Sequence, residues 1–342
     1  MTTLLEKVSD IDNLFHAYRD CARGKRQSSG YYKTLFSIGE RLSIMSEQIA
    51  SNKYKWRGYR HFYVVDPKRR LVMAAPFQDR IVHHAIHRHI EPILDTHLSD
   101  SVYACRHDRG NRFAVISLLE YIKELGPRRF CMKLDVEKCY ESIHLKTLHS
   151  KVTSALPDRS LDKILWELIH NHPEYAARGY GIPIGNLTSQ LFANYYMSGA
   201  DTVVHSILKK GRLFRYMDDL VLVGPDKDEI MQASWAAVHH VQDELKMGIP
   251  FYKMVPLGDA PIPFLGFVVD HTGYRILARN RRRYSKKMTR LQKIKARPSL
   301  VAQVQQSFEA WKVLPKQAEV SVQVRRKIRP PKQVEFEYEN RV

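Results

Sequence analysis

The chain has 342 residues, 44% of them hydrophobic, enough for two or three compact subdomains around sizeable cores and too many for a disordered polypeptide. Fifty-five Lys and Arg against thirty-six Asp and Glu leave a net charge of +19, a self-repulsion that folding does not require and that points to a polyanionic partner. No run of about eighteen apolar residues exists, and Met1-Thr2-Thr3-Leu4-Leu5-Glu6-Lys7 lacks a basic stretch followed by an apolar one, so no membrane span or leader is expected and the location is read as cytoplasmic.

Residues 1 to about 50 read as helical. Leu4, Val8, Ile11, Leu14, Phe15 and Tyr18 recur at helical spacing, a second period runs through Leu35, Ile38, Leu42, Met45 and Ile49, and the basic loop Arg23-Gly24-Lys25-Arg26 lies between them. His61 to Val65 has strand composition, Asp66-Pro67 turns the chain, and Lys68 to Met73 reads as the second arm of a basic hairpin. A helix is expected from Phe77 to about Leu98. It carries His83, His84, His87 and His89 with Arg80 and Arg88, and with no Cys or second carboxylate cluster nearby a polar face toward a polyanion is favoured over a zinc site. Phe130 to Asp135 is a short strand, Tyr140 to about Leu156 and Asp162 to His170 are helical, and Gly185 to Leu208 is helical after a Gly- and Pro-rich entry. A hairpin over 213–223, a helix from about Asp228 to Leu245 and a strand from Phe264 to Val269 follow. Strands and helices interleave without a repeat, so the class is α+β. Cys21, Cys105, Cys131 and Cys139 form no Cys-x-x-Cys pair and are expected as free thiols. From His271 through Phe308 there is no Asp or Glu while Arg275 to Arg297 holds eleven Lys or Arg, a cationic helical module suited to a phosphate backbone; Arg325 to Lys332 reads as a basic, Pro-stiffened tail.

The chemistry is concentrated in Tyr216-Met217-Asp218-Asp219, set between the apolar runs Leu213 to Tyr216 and Leu220 to Val223. Turns recruit Gly, Asn or a single Asp, so two adjacent acids at a hairpin tip point to a metal site. Phosphoryl transfer onto a hydroxyl uses two divalent ions about 4 Å apart, one activating the nucleophile and one bridging leaving-group oxygens, and three convergent carboxylates suffice to hold them. The third candidate is Asp135, which ends the apolar strand Cys131-Met132-Lys133-Leu134-Asp135; a lone Asp there is otherwise a cap or turn former. Lys68, Arg69 and Arg70 suit a triphosphate clamp, or alternatively a solvated basic hairpin. Tyr140 suits a platform beneath a sugar that excludes a 2′-hydroxyl, and equally a core aromatic. Gly181 and Gly185 permit close approach of backbone to a ligand, Phe264 to Phe267 reads as a buried strand with a Gly, and Lys253 reads equally as an acid toward a leaving phosphate or as a surface lysine.

From about residue 60 to about 310 these blocks, in this order, resemble those of reverse transcriptases. Pro67 to Val72 with Pro76 and Asp79-Arg80, then Tyr103-Ala104-Cys105-Arg106 with Gly110, are similar to the fingers; Asp135 to Tyr140 and Gly181 to Gln190 to the first two palm blocks; the Tyr216 box to the third; and Phe264-Leu265-Gly266-Phe267 to the primer grip. The resemblance implies a right-hand polymerase fold: a helical extension over 1–60, fingers and palm over 61–270 with an antiparallel sheet carrying the carboxylates, a basic helical thumb over 271–312 and a basic tail over 313–342. It implies that Asp135, Asp218 and Asp219 are catalytic and, with Val136, hold two Mg²⁺ ions, for which Mn²⁺ substitutes. Lys68, Arg70, Tyr140, Ile184, Gly185, Gln190 and Lys253 would bind the deoxynucleoside triphosphate. Arg106, Gly181, Tyr216, Met217, Phe264, Leu265, Gly266, Arg281, Arg282, Arg283, Lys286 and Lys287 would bind template RNA and the primer or cDNA.

Two departures narrow the resemblance. Most reverse transcriptases place Gln before the Gly of the second palm block and Ser-Pro at its end; this chain has Ile184 before Gly185 and ends in Ser189-Gln190, with Asn186-Leu187-Thr188 between. That pattern, with the small size and Asn13-Leu14 through Gly24-Lys25-Arg26, is similar to the enzymes of diversity-generating retroelements. The likeness implies error-prone copying of a template RNA, with errors at adenines, in the company of a small basic oligomeric accessory variability protein. A retron, group II intron or phage-defence reverse transcriptase is the alternative enzyme, and a non-catalytic palm-fold RNA-binding scaffold the alternative from another class.

Overall fold

The N-terminal periodicity folds as two helices because Asp10 interrupts it. Helix α1 (Leu4–Ser9) starts in a capping box between Thr3 and Glu6, and the Asp10 side chain accepts from the Asn13 N–H at 2.9 Å to start α2 (Ile11–Ala22). The computed structural model describes residues 2–23, 31, 35, 37–65, 69–250, 255–257 and 260–312; the expected features at Gly24 to Arg26, Asp66 to Lys68, Lys253 and 313–342 lie outside them. Helix α3 (Ile38–Ala50) buries Leu42, Met45 and Ile49, whereas Ile11 and Phe15, though in phase, are exposed.

Strands β1 (Arg60–Val65) and β2 (Arg69–Ala74) pair antiparallel as the expected hairpin, and α4 (Phe77–Asp95) follows. Helix α5 (Asn111–Leu125) was not foreseen; Gly110 at its N-cap (φ 142°) and Gly126 at its C-cap (φ 72°) delimit it. Strand β3 (Phe130–Asp135) falls on its expected residues. The next helical region is broken into α6 (Cys139–Ser142) and α7 (Leu145–Ala155), then α8 (Asp162–Ile169) and α9 (Pro173–Arg178), whose first turn contains Pro173. The stretch expected as one helix to Leu208 is α10 (Leu187–Tyr196) and α11 (Ser198–Ile207), parted at Met197. Strands β4 (Arg212–Tyr216) and β5 (Asp219–Gly224), helix α12 (Lys227–Asp243) and the short strand β6 (Val255–Pro256) complete this part of the chain.

The central sheet has strand order β4-β5-β3-β6 and is antiparallel. Directly opposed residues of an antiparallel pair share a face, and neighbours along a strand alternate. Met132 and Leu134 on β3, Leu220 and Leu222 on β5 and Leu213 on β4 therefore form one face, and all of them join the helical core with Phe192, Tyr196, Val204, Ala237 and Val241. Lys133 and Asp135, Asp219 and Val221, and Phe214 and Tyr216 form the other.

The chain divides into two compact units, one from Met1–Arg106 with Arg128–Asp259, the other from His107–Pro127 with the residues from Ala260 onward. In the second, the stretch expected as a single strand is a hairpin: β7 (Ile262–Phe264) and β8 (Phe267–Asp270) flank Leu265 (φ 47°) and Gly266 (φ 93°), positive φ at both central positions of a type I′ turn. The Gly is required by packing as well, since a Cβ there would lie 2.9 Å from the Trp311 ring. Strand β9 (Gly273–Ile276) takes Arg275 out of the expected cationic helix, which runs as α13 (Ala278–Lys293) and is followed by α14 (Pro298–Lys312). Tyr284 stacks on Phe308 at 3.8 Å between centroids and joins these two helices. No two of the four cysteines form a disulfide.

His83 illustrates how α4 is tied to α10. It is fully buried, its Nδ1 lies 2.8 Å from Thr188 Oγ1, and its Nε2 meets no partner among the described residues. Burial drives its pKa down to about 3, so the folded ring stays neutral. The unfolded chain takes up this proton below about pH 6.5, so the contribution is complete above pH 7 and is lost on acidification, reaching about 2 kcal/mol by pH 5. Thermal midpoints measured from pH 7.5 to 5 should fall in the natural protein and fall less in His83→Gln; parallel pH profiles would contradict this account.

Candidate active site

The pairing of β3 with β5 places Asp135 directly opposite Asp219, and the pairing of β4 with β5 places Tyr216 opposite the same residue. Met217 and Asp218 are thus a two-residue loop. Met217 has φ 56° while Asp218 is not positive, the pattern of a type II′ turn whose first central position favours Gly. A non-glycine residue there stores about 1–3 kcal/mol of strain, held by the surrounding structure. The Val136 N–H donates to the Asp218 carbonyl at 3.0 Å, clamping the turn to the end of β3. Three acids from two segments far apart in sequence therefore meet at one end of the sheet, on the side away from the helical core for Asp135 and Asp219.

Electrostatics matches this geometry. Burial raises the Asp218 pKa, the carboxylates of Asp135 and Asp219 push it further up, and Arg70 opposes them. Cys139 beside them is pushed up to about 12 by burial and then by Asp218. Lys133, two residues before Asp135 on the same face, reaches Asp219 with its Nζ 2.5 Å from Oδ1 and 2.6 Å from Oδ2. Asp219 is consequently turned to an ammonium, and among the described residues no three His, Cys, Asp or Glu side chains stand close enough to enclose an ion. Without an ion, the three acids share one end of the sheet but do not close around a common point. The donor set nevertheless fits a hard divalent cation: three carboxylates beside the Val136 backbone, with repulsion on Asp218 that a cation would relieve.

Other expected site residues are distributed unevenly. Arg70 is exposed on β2 and acts electrostatically on both Asp218 and Tyr140, whereas Arg69 stacks over the Tyr63 ring at 3.7 Å. Tyr140 is half-buried on α6, its hydroxyl pKa raised first by burial. Ile184 is half-buried and its carbonyl accepts from the Met73 N–H at 2.9 Å; Gly185 (φ 119°) is exposed, and a Cβ there would lie 3.0 Å from Val72 Cγ1. Gly181 (φ 104°) abuts the Tyr175 ring in the same way. Both glycines thus also admit protein closely, the Tyr175 ring at Gly181 and Val72 at Gly185. Gln190 is exposed and accepts from Cys105 Sγ at 3.5 Å. Arg106 is turned inward: its Nε and Nη2 donate to Asp95 at 2.6 and 3.0 Å and its Nη1 to the Ser99 carbonyl at 2.8 Å, so it braces the segment after α4 rather than facing solvent. Phe264, Leu265 and Gly266 form the type I′ hairpin of the second unit, with Phe264 buried. Arg281, Arg282, Arg283, Lys286 and Lys287 are all exposed on α13, in that same unit. Lys68 and Lys253 lie outside the described residues.

Two residues at the site were not singled out from the sequence, Lys133 and Arg215. Each is a cation interrupting an apolar strand, which is the signal available.

Residues 65–269, more than half of the chain, match the family described as reverse transcriptase (RNA-dependent DNA polymerase). The chain belongs to the reverse transcriptase family. With the family comes the right-hand polymerase fold, of which the antiparallel sheet bearing the carboxylates is described above. This reverse transcriptase is 23% identical over 193 residues to Protein YkfC of Escherichia coli K12, covering 54% of its own length and 51% of that protein. It is 20% identical over 178 residues to the group II intron-encoded protein LtrA of Lactococcus lactis subsp. cremoris, covering 50% of its own length and 29% of LtrA. It spans about half of the first relative and less than a third of the second. Among solved structures it is similar to apo telomerase from Candida tropicalis, with a TM-score of 0.49 and 10% identity over 65% of this chain and 48% of that one.

Lys133 gives the reverse transcriptase a measurable property. With Lys133→Met, Asp219 loses its counter-ion beside two other acids, and a divalent cation should take over that role. Millimolar Mg²⁺ or Mn²⁺ should raise the thermal midpoint of Lys133→Met more than that of the natural protein. Equal shifts in the two would show that Asp219 and added metal do not interact.

Proposed function

We propose that the chain is an RNA-directed DNA polymerase of the diversity-generating kind, copying a template RNA into error-rich cDNA. The observation that carries the polymerase reading is the Asp135–Asp219 register with Asp218 on the strained turn beside it, inside the region that matches the family. Asp135, Asp218 and Asp219, with the Val136 backbone, would hold two divalent cations, Mg²⁺ or Mn²⁺, which when bound activate a 3′-hydroxyl and neutralise charge on the departing pyrophosphate. The chain's own groups supply position. Arg70, with Lys68, neutralises the triphosphate; Tyr140 supports the sugar and disfavours a 2′-hydroxyl; Gln190, Ile184 and Gly185 contact the same nucleotide; Lys253 donates a proton to the leaving group. In the first unit the Tyr216-Met217 turn and Gly181 serve the primer; in the second, taken by itself, the Phe264-Leu265-Gly266 turn and the exposed cations of α13 bind nucleic acid, the cations along a phosphate backbone without reading sequence.

Asp218→Asn keeps the shape of the turn and removes one negative ligand. Primer extension on an RNA template should fall by at least about 1,000-fold, as for loss of a metal-centred catalytic group, while binding of the primer–template changes little. Extension within tenfold of the natural rate would remove Asp218 from the chemistry.

The diversity-generating assignment rests on Ile184 and Ser189-Gln190 in place of the common pattern. Gln before the Gly can hydrogen-bond near the incoming sugar, whereas Ile fills the volume with neither donor nor acceptor, so correct and incorrect nucleotides should differ less in transition-state binding. Each 1.4 kcal/mol of lost discrimination corresponds to about a tenfold rise in error. The natural protein and Ile184→Gln should each copy one defined RNA, with the basic accessory protein added where extension requires it, and the cDNA should be sequenced. Errors should concentrate opposite adenine in the natural protein, and Ile184→Gln should lower the overall rate. The likeness to LtrA, which is named as group II intron-encoded, favours the alternative of an intron-type enzyme, and cDNA without an adenine bias would select it.

A further inference from the structure

Arg215 precedes the Tyr216 box by one residue and lies on the opposite face of β4, directed into the helical core beneath the acids. It is wholly buried (0% exposed), as is its partner Asp201 (1%). Its Nε and Nη2 make a two-pronged ion pair with Asp201 of α11, at 2.6 and 2.7 Å. Its Nη1 and Nη2 donate to the side-chain oxygen and the carbonyl of Asn194 on α10, each at 3.1 Å. The remaining contact reaches the turn itself: Nη1 donates to the Met217 carbonyl at 3.2 Å. The main chain of Arg215 also pairs with the 101–103 segment, its N–H donating to the Ser101 carbonyl at 2.8 Å and its carbonyl accepting from the Tyr103 N–H at 3.0 Å. Asn194 extends the network by donating to the Ala104 carbonyl at 2.5 Å.

An ion pair is a poor way to stabilise a core, since apolar residues of similar volume often do as well or better. What apolar residues cannot do is donate to the Met217 carbonyl, at the one residue whose positive φ the turn must maintain. We infer that Arg215 is a positioning residue that holds the Met217-Asp218 turn in register with Asp135, so that the acids present a preformed cation site. Asp201 and Asn194 orient the guanidinium, leaving one N–H of its fork aimed at the turn. Through Asn194 and the 101–104 backbone, the same network anchors the segment that places Cys105 against Gln190.

This inference rests on the reading of the three acids as a cation site. Arg215→Lys is the discriminating substitution, because one ammonium can keep the Asp201 pairing but cannot also span to the Met217 carbonyl. Mn²⁺ binding to the 342-residue chain on an RNA–DNA primer–template would be titrated by electron paramagnetic resonance, below the thermal midpoint of each variant, beside single-turnover extension. Expected is a folded Arg215→Lys that binds the primer–template normally, binds Mn²⁺ at least about tenfold more weakly and extends correspondingly slowly. Should Arg215→Lys fail to fold, Arg215→Met combined with Asp201→Leu removes both buried charges together and should show the same loss. Mn²⁺ affinity within twofold of the natural protein, in whichever of these variants is folded, overturns the inference. Asp218→Asn serves as the control: if it too binds Mn²⁺ like the natural protein, the cation-site reading itself has failed, whereas a loss there with none in the Arg215 variants overturns only the role of Arg215.

Discussion

The antiparallel pairing of β3 with β5 is the constraint on which the site depends. Because side chains alternate with a period of two, the register that puts Asp135 opposite Asp219 also puts Leu134 opposite Leu220 and Met132 opposite Leu222. Those leucines are fully buried against the helices. A slip of one residue would turn the leucines out and the acids in, exposing several large apolar side chains and burying unpaired carboxylates, each of them a penalty of kilocalories. The hydrophobic core thereby fixes where the acids stand, and the geometry of the candidate site comes with folding rather than being added to it.

The immediate surroundings of the acids bear several local penalties together. Met217 and Lys138 have positive φ, as does Cys105, which lies close enough to act on Tyr140 and Tyr216; like charges crowd Asp218; and a charged arginine lies in the core beneath. None of these arrangements would be chosen for stability alone, and their clustering at one end of one sheet is what separates this end from the rest of the unit.

Much of this was readable before the structure. The apolar strand ending in Asp135 and the hairpin over 213–223 emerged from composition and periodicity because strongly patterned segments announce themselves. The pairing between them did not, since strand partners are a tertiary property; it was expected only through resemblance. A cation beside a motif, as Arg215 is, suggests solvent or phosphate, and only the side of the strand on which it falls reveals a core position. Arg106 misled for the related reason that its acceptors, Asp95 and the Ser99 carbonyl, are created by the fold. The Phe264 to Phe267 stretch read as one strand because Leu265 is an unusual residue for a left-handed turn position, and the long helix expected after Gly185 hid the break at Met197.

The β1–β2 hairpin, finally, is a two-stranded sheet, and every residue of β1 is exposed, Val65 by 71%. Two strands alone are marginal in water. A main-chain tie to the rest of the first unit runs through the Met73 N–H to Ile184, where Gly185 lets the two backbones close up. Amide protons of β1 should therefore exchange through local opening at a small fraction of the free energy that protects β5, with the loop at Ile184 as a partner in that opening. Order in the hairpin and the setting of the 181–186 loop are then one equilibrium, and a substitution that shifts the Ile184 carbonyl also adjusts how often the hairpin lifts away.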